Sequence, residues 1–484
     1  MILNRQIQQH KQVRGGLVFR ALPFGDIEIA PLPDIAHIPI DKDSEVSIAV
    51  GETVLTGQPL THLNEHSVTC HASVSGEVIT VTDNTVSIKS DGLDKCYIDD
   101  SQQLKGNNYQ RFFRSMGLVG LGGAGFPVDK KLAATKPSTL LINAAECDPS
   151  IYCDEALMQE RSAEIFEGIQ IALKATGVRQ CIIGIEANKT KAIEQMKRHL
   201  PDNLSDKIQL ICVPAKYPSG AETTLLTLCT GKTGSLQSNQ TICFNVATCY
   251  AMYQSVKYSK PLVSRIVSIV KDNDVRNLEV RIGTPLKDLP LSWEDTQSHA
   301  LLCGGQMMGW PVTSEHCIDK RSNSILLYEK NRRDAMPCIR CAACEEVCPE
   351  NLLPQQLFWN ATGNTSILND LKLDQCIECG CCDAVCPSHI PLAGLFSQAK
   401  QRISHEAAEQ EKAARAKYRY EKRLTRLNEE TVRQRKELDS KTAILKDTNS
   451  SEDAKRALIA KALKRKGSKS SLGSDNKPDR KTPQ

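Results

Sequence analysis

Two runs of cysteine have the types and spacing best suited to chemistry. Cys338-Ile-Arg-Cys341-Ala-Ala-Cys344-Glu-Glu-Val-Cys348-Pro349 is followed, about forty residues on, by Cys376-Ile-Glu-Cys379-Gly-Cys-Cys382-Asp-Ala-Val-Cys386-Pro387. Each reads C-x2-C-x2-C-x3-C-P, a spacing in which three thiolates wrap one cubane and the fourth, beside proline, reaches across to the other. Backbone N–H groups in so tight a loop point at the cluster sulfurs and offset their negative charge. Two [4Fe-4S] clusters are therefore expected, one on Cys338, Cys341, Cys344 and Cys386, the other on Cys376, Cys379, Cys382 and Cys348. Zinc is the rival reading, because a C-x2-C pair is also a zinc half-site, but zinc wants four ligands and has no use for two matched runs. Cys381, wedged between two ligands, is the one further cysteine to consider as a spare ligand. Two such clusters pass electrons singly, so this segment reads as a wire whose ends lie elsewhere.

A second constellation lies upstream. Gly117-Leu-Val-Gly120-Leu-Gly122-Gly123-Ala-Gly125-Phe-Pro127 leads into Val-Asp-Lys130-Lys131. Glycines at this density let the backbone approach a phosphate, and N–H groups at a following helix start would hold the anion. The spacing differs from the dinucleotide fingerprint, and no clear strand abuts it. Three polar segments follow: Asn143-Ala-Ala-Glu146-Cys-Asp148-Pro149, then Tyr217-Pro-Ser-Gly220-Ala-Glu222-Thr-Thr224, then Phe244-Asn245-Val-Ala-Thr248. Taken singly, Asn143, Glu146 and Asp148 follow an apolar strand, where such residues commonly cap the next helix. In their order, the loop and the three segments resemble the FMN- and NADH-binding 51 kDa subunit of respiratory complex I. That resemblance implies that Gly120, Gly122, Gly123, Gly125 and Lys131 hold flavin phosphate and ribityl groups. It also implies that Asn143, Glu146, Asp148 and Gly220 line the pocket, that Glu222 is the catalytic residue near the ring and the nicotinamide, and that Asn245 and Thr248 form a further polar edge. The sequence departs from that subunit at Leu121, Ala145 and Ala221.

The elements that must position these residues are legible as changes of period. Residues 1–35 read as an extended strap with turns. Over 36–105, runs such as Ser47–Val50, Thr53–Leu55 and Val78–Val81 with regular Gly turns suggest a small all-β module. Its pattern resembles the lipoyl/biotinyl barrel-sandwich, but Glu65-His66-Ser67 stands where a carrier would present its lysine, so the module is expected to dock and not to carry. Residues 106–260 alternate apolar strands with helix-like stretches, which implies a parallel sheet covered on both faces and hence a flavin domain of α/β class. A β-grasp-like unit is expected over 261–330, a ferredoxin-type domain of short helices and loops over 331–396, and a basic helical tail ending in a disordered stretch over 397–484.

Composition bounds the rest. The 484 residues carry 61 Lys plus Arg against 57 Asp plus Glu. The balance is uneven: residues 401–484 hold 23 against 13, leaving 38 against 44 before them. A basic tail on a mildly acidic body suits a tether to an anionic membrane surface or an acidic partner subunit. Nucleic acid is not an expected partner, since only Tyr418 and Tyr420 interrupt the tail's charges. Twenty cysteines without a secretory signal argue for a reducing compartment. No stretch reaches the ~18 to 20 apolar residues of a spanning helix, so membrane attachment is expected to be peripheral.

The order of these parts, with Gly304-Gly-Gln-Met-Met-Gly309 and Met336-Pro-Cys338 between them, resembles the C subunits of the Rnf ion-translocating electron transport complexes from about Gly15 to Leu395. The resemblance implies a peripheral subunit on the cytoplasmic side of the cell inner membrane. It would work beside other subunits, a ferredoxin-type one among them, in a complex that exchanges electrons between NAD(H) and ferredoxin and couples this to Na+ or H+ movement. FMN would convert between hydride and single electrons. A flavin-free iron–sulfur scaffold and a soluble NADH dehydrogenase subunit are the alternatives.

Overall fold

The computed structural model describes residues 15–98, 103–134, 136–290, 299–329, 334–363, 365–447 and 452–467. The start of the expected strap and the expected disordered end, residues 468–484, lie outside them. Two compact units divide the chain at residue 400.

The first unit opens with β1 (Ile27–Ile29) and then the strands β2 (Ile35–Pro39), β3 (Thr53–Val54), β4 (Gly76–Val81) and β5 (Thr85–Ser90), which form a sheet in the order β2-β5-β4-β3. Alternate residues such as Ala36 and Ile38, or Val86 and Ile88, point inward and close the core with Leu60, Ala72 and Val74. Gly76 has no room for a side chain, because a Cβ would stand 1.9 Å from the carbonyl oxygen of Lys89 on the neighbouring strand.

The α/β domain follows. After α1 (Tyr109–Ser115) and α2 (Val128–Ala134) come β6 (Thr139–Ala144), α3 (Cys153–Glu160), α4 (Ser162–Thr176), β7 (Cys181–Glu186), α5 (Thr190–Arg198), β8 (Ile208–Val213), α6 (Glu222–Thr230), β9 (Thr241–Asn245) and α7 (Val246–Tyr258). The four strands pair in parallel in the order β8-β7-β6-β9. Leu140 and Ile142 face one side, where they join Ile165, Phe166 and Ile169 of α4 and Met252 of α7. Leu141 faces the other, against Leu225 and Leu226 of α6. A strand covered on both faces must be apolar throughout, which is why β6 reads as a continuous run. Because β7 and β8 extend the sheet from one edge of β6 while β9 joins the other, the strand order reverses between β6 and β9. Open parallel sheets bind ligands at the carboxyl ends of the strands beside such a point.

A third sheet contains β10 (Ser264–Lys271), β11 (Asp274–Arg281), β12 (His299–Cys303), β13 (Trp310–Val312) and β14 (Ser324–Glu329), in the order β1-β11-β10-β14-β12-β13. The amino-terminal segment is thus more than a strap, since β1 pairs in parallel with β11 some 250 residues away, Glu28 opposite Leu278. The cysteine runs follow on short helices: α8 (Ala343–Glu346), α9 (Pro354–Asn360), α10 (Thr365–Asp370) and α11 (Cys381–Ala384). Then α12 (Leu392–Asp447), which begins right after Pro391, carries the chain out of the first unit, and α13 (Glu452–Gly467) follows. Beyond residue 403 the described side chains of α12 are exposed, with pairs such as Glu411 and Arg415 one turn apart. No described helix is long and apolar enough to cross a membrane.

Candidate cofactor sites

The two cysteine runs fold around two cavities. Cys338, Cys341, Cys344 and Cys386 line one, and Cys348, Cys376, Cys379, Cys381 and Cys382 line the other; each has about 380 Å3 of empty space. Left-handed backbone at Arg340 and Ala342 in the first run, and at Glu378 and Gly380 in the second, coils each loop tightly enough to turn successive thiols inward. N–H groups already point at sulfur: Glu378 N lies 3.4 Å from Cys376 Sγ and Leu352 N 3.3 Å from Cys348 Sγ. Four cysteines around one cavity and five around the other, with amide donors beside them, supply the four thiolates an iron–sulfur cubane takes, so the residues present fit the group.

The polar segments of the α/β domain meet at the carboxyl edge of its sheet. Asn143 is the next-to-last residue of β6 and Asn245 the last of β9, and the two are register partners across the strand reversal. Asn143 Nδ2 donates to Gly220 O at 2.9 Å, which ties the segment before α6 to the sheet. The glycine loop folds over the same edge. Gly120 N donates to Phe126 O at 2.8 Å to close it, and Leu121 N donates at 2.9 Å to the buried hydroxyl of Thr248. A Cβ on Gly122 would lie 3.4 Å from Asn245 Cβ, so the loop rests directly on β9's last residue. Gly123 and Gly125 have φ of +105° and +66°, open to glycine and strained for other residues. Lys131, on α2, and Glu222, at the first position of α6, form a 2.8 Å ion pair, both partly exposed, and the Lys131 ammonium stands 5.9 Å from the Phe244 ring centre.

Glu146 and Asp148 are committed otherwise. The Glu146 carboxylate accepts from Asp154 N at 2.8 Å and Glu155 N at 3.0 Å, capping α3. Asp148 accepts from Ser150, from Gln306 N at 3.0 Å and from Met307 N at 2.9 Å, clamping the loop between β12 and β13. These two hold the frame of the site. Burial, reinforced by the Asp154 charge, raises the pKa of Glu146 despite its two N–H donors, and burial likewise raises Asp154, which accepts from Asn245 Nδ2. Glu186 at the end of β7 is pushed up to about 7 by burial. Lys189 pairs with Glu155 at 2.6 Å in the same buried group. Asp154, Glu186 and Lys189 escape a reading of motifs because nothing in their spacing separates them from a helix start and a strand end.

Tyr217, which the sequence places in a polar segment without a role, has one in the fold. Buried, it donates its hydroxyl to Cys379 O at 2.7 Å. Its backbone pairs with Leu17, and Gly16 N donates to Val347 O at 2.8 Å, so the amino-terminal segment is stitched between the α/β domain and the cysteine runs. Tyr217, Cys379 and Cys381 share one apolar cluster with Leu17, Phe19, Cys147, Met307 and Ile377.

Fold and sites define a protein that joins a flavin-type α/β domain to a two-cluster iron–sulfur module. Comparison with known proteins gives the same parts. Residues 113–254 match the Nuo51 FMN-binding domain, 337–390 the 4Fe-4S dicluster domain and 25–103 the RnfC barrel sandwich hybrid domain. The C subunit of the ion-translocating oxidoreductase complex of Edwardsiella ictaluri is 34% identical over 97% of this chain and 62% of its own length. Its counterpart in Serratia proteamaculans is 36% identical over 90% of this chain and 66% of its own length. The chain is a homologue of these C subunits and spans about two thirds or slightly less of their length. Among solved structures, an NAD+-reducing [NiFe]-hydrogenase in the H2-reduced state overlaps 60% of this chain and 59% of its own with a TM-score of 0.42 at 15% identity; its air-oxidized state scores 0.38. Overlap at that level is partial.

Proposed function

We propose that this chain is the peripheral electron-transfer subunit of an ion-translocating oxidoreductase complex, exchanging electrons between NAD(H) and a ferredoxin-type partner through FMN and two [4Fe-4S] clusters. The observation that carries the reading is the joint at Tyr217. The chain segment that runs from the second cysteine cavity to Gly220 and Glu222 at the sheet edge is continuous, and its first side chain hydrogen-bonds the Cys379 carbonyl.

Bound FMN supplies the conversion between two-electron hydride transfer and one-electron steps. The protein's residues do the rest. The glycine loop offers bare amides to the phosphate, with Lys131 as its nearby cation. Asn143, Asn245 and Thr248 fix the pocket's polar edge, and Glu222 at the first turn of α6 stands at the mouth where a nicotinamide would enter. Glu146 and Asp148 hold α3 and the 304–309 loop in place. Cys376, Cys379, Cys382 and Cys348 are the ligands of an inner cluster, next to the flavin domain, and Cys338, Cys341, Cys344 and Cys386 those of an outer one. The membrane is the cell inner membrane at its cytoplasmic side, with the basic helix beyond residue 400 as the electrostatic contact.

Purified protein reconstituted anaerobically with FMN, iron and sulfide tests this. About one FMN and about eight iron per chain, with flavin bleaching on NADH titration, are expected. Iron near eight with no retained flavin would favour the scaffold reading instead.

A further inference from the structure

The second cysteine cavity holds a fifth sulfur. Cys381 is 1% exposed and lines the same space as Cys348, Cys376, Cys379 and Cys382. It packs with Cys379 and Tyr217 in one buried cluster. Gly380 before it is left-handed and lies so close to Met307 that a Cβ would stand 2.6 Å from that carbonyl oxygen, which fixes the turn that brings Cys381 into the cavity. The matching position of the first run, directly before its third cysteine, is Ala343, and the first cavity is lined by four cysteines. Four ligands complete a cubane, so one thiol in the second cavity is left over.

A buried free thiol is ordinarily a small hydrophobe. Here it lines a cavity with sulfurs that would be thiolates, and hydrogen bonds to cluster sulfurs favour the more negative, reduced cluster and so raise its potential. We propose that Cys381 is a positioning residue of the inner cluster: unligated, it donates its S–H to the Cys379 sulfur and sets that cluster's potential above the value it would have with the alanine of the first run. The proposal rests on the two-cluster reading above.

The test is an EPR-monitored redox titration of the full chain, anaerobically reconstituted, as wild type and as Cys381→Ala, with iron counted in each. The variant is expected to keep about eight iron per chain while one midpoint falls and the other stays. Cys381→Ser, which keeps a donor of similar size, should move the same midpoint less, and Ala343→Cys should move the other one upward. Two unchanged midpoints in Cys381→Ala would overturn the proposal, and so would loss of about half the iron, which would make Cys381 a ligand. Wild-type protein that takes up little iron would overturn the cluster reading itself, by a separate readout.

Discussion

The two cysteine cavities are nearly the same in sequence and quite different in surroundings. Around the first, Cys341 is exposed, Ile339 is 67% exposed, and Arg340 lies over Trp359, itself partly in solvent. Around the second, Cys379 is buried under Tyr217, and Glu378, at the position of Arg340, is paired with Lys400, whose ammonium also reaches the Cys376 carbonyl. Equal spacing therefore makes two similar cysteine-lined cavities, and packing makes one of them inner and the other outer. On the proposed reading, the difference would give the module an order, from the flavin domain through the inner site to the surface.

Removing a crossing ligand should have the largest effect. Cys348→Ala is expected to lose the inner cluster and Cys386→Ala the outer, each cutting iron by about half and each abolishing a different EPR signal. If both variants lost the same signal, the crossed assignment would fail. Tyr217→Phe removes a hydrogen bond whose net worth is about 1 kcal/mol. It should slow NADH-driven cluster reduction several-fold and perturb the inner signal only, whereas Arg340→Ala should leave the rate alone; equal effects would erase the inner and outer distinction. The smallest effect concerns the flavin domain's frame. Glu186 is pushed up to about 7 from an ordinary 4.5 by burial, so the folded protein prefers it protonated. Its contribution is intact below pH 4.5 and is lost as the pH rises through about 7. Wild type should therefore lose thermal stability relative to Glu186→Gln between pH 5 and 8, by at most about 3 kcal/mol, with neither cluster signal moving. A constant gap across that range would count against it.

The cysteines that line the two cavities were legible because cluster chemistry demands a fixed local spacing, and the parallel sheet because strands covered on both faces must be apolar. Sequence order also put the glycine loop, Asn143, Glu222 and Asn245 in one flavin-type site, and the fold brings them to one sheet edge. What stayed hidden depends on contacts between distant residues. Tyr217 meets Cys379 across 162 positions and β1 joins β11 across about 250, and nothing local in either stretch names its distant partner. Glu146 is a further case: taken singly it suited a helix cap, the resemblance implied a pocket wall, and its carboxylate turns toward Asp154 N and Glu155 N.

The central claim is the order of the two sites, and rapid mixing of NADH with the FMN-loaded crossing variants tests it most directly. Freeze-quenched samples are read by EPR. With the outer cluster removed by Cys386→Ala, the remaining inner cluster should be reduced at the wild-type rate. With the inner one removed by Cys348→Ala, the remaining outer cluster should stay oxidised over the same interval. Prompt reduction of the outer cluster in Cys348→Ala, or none of the inner in Cys386→Ala, would contradict the account.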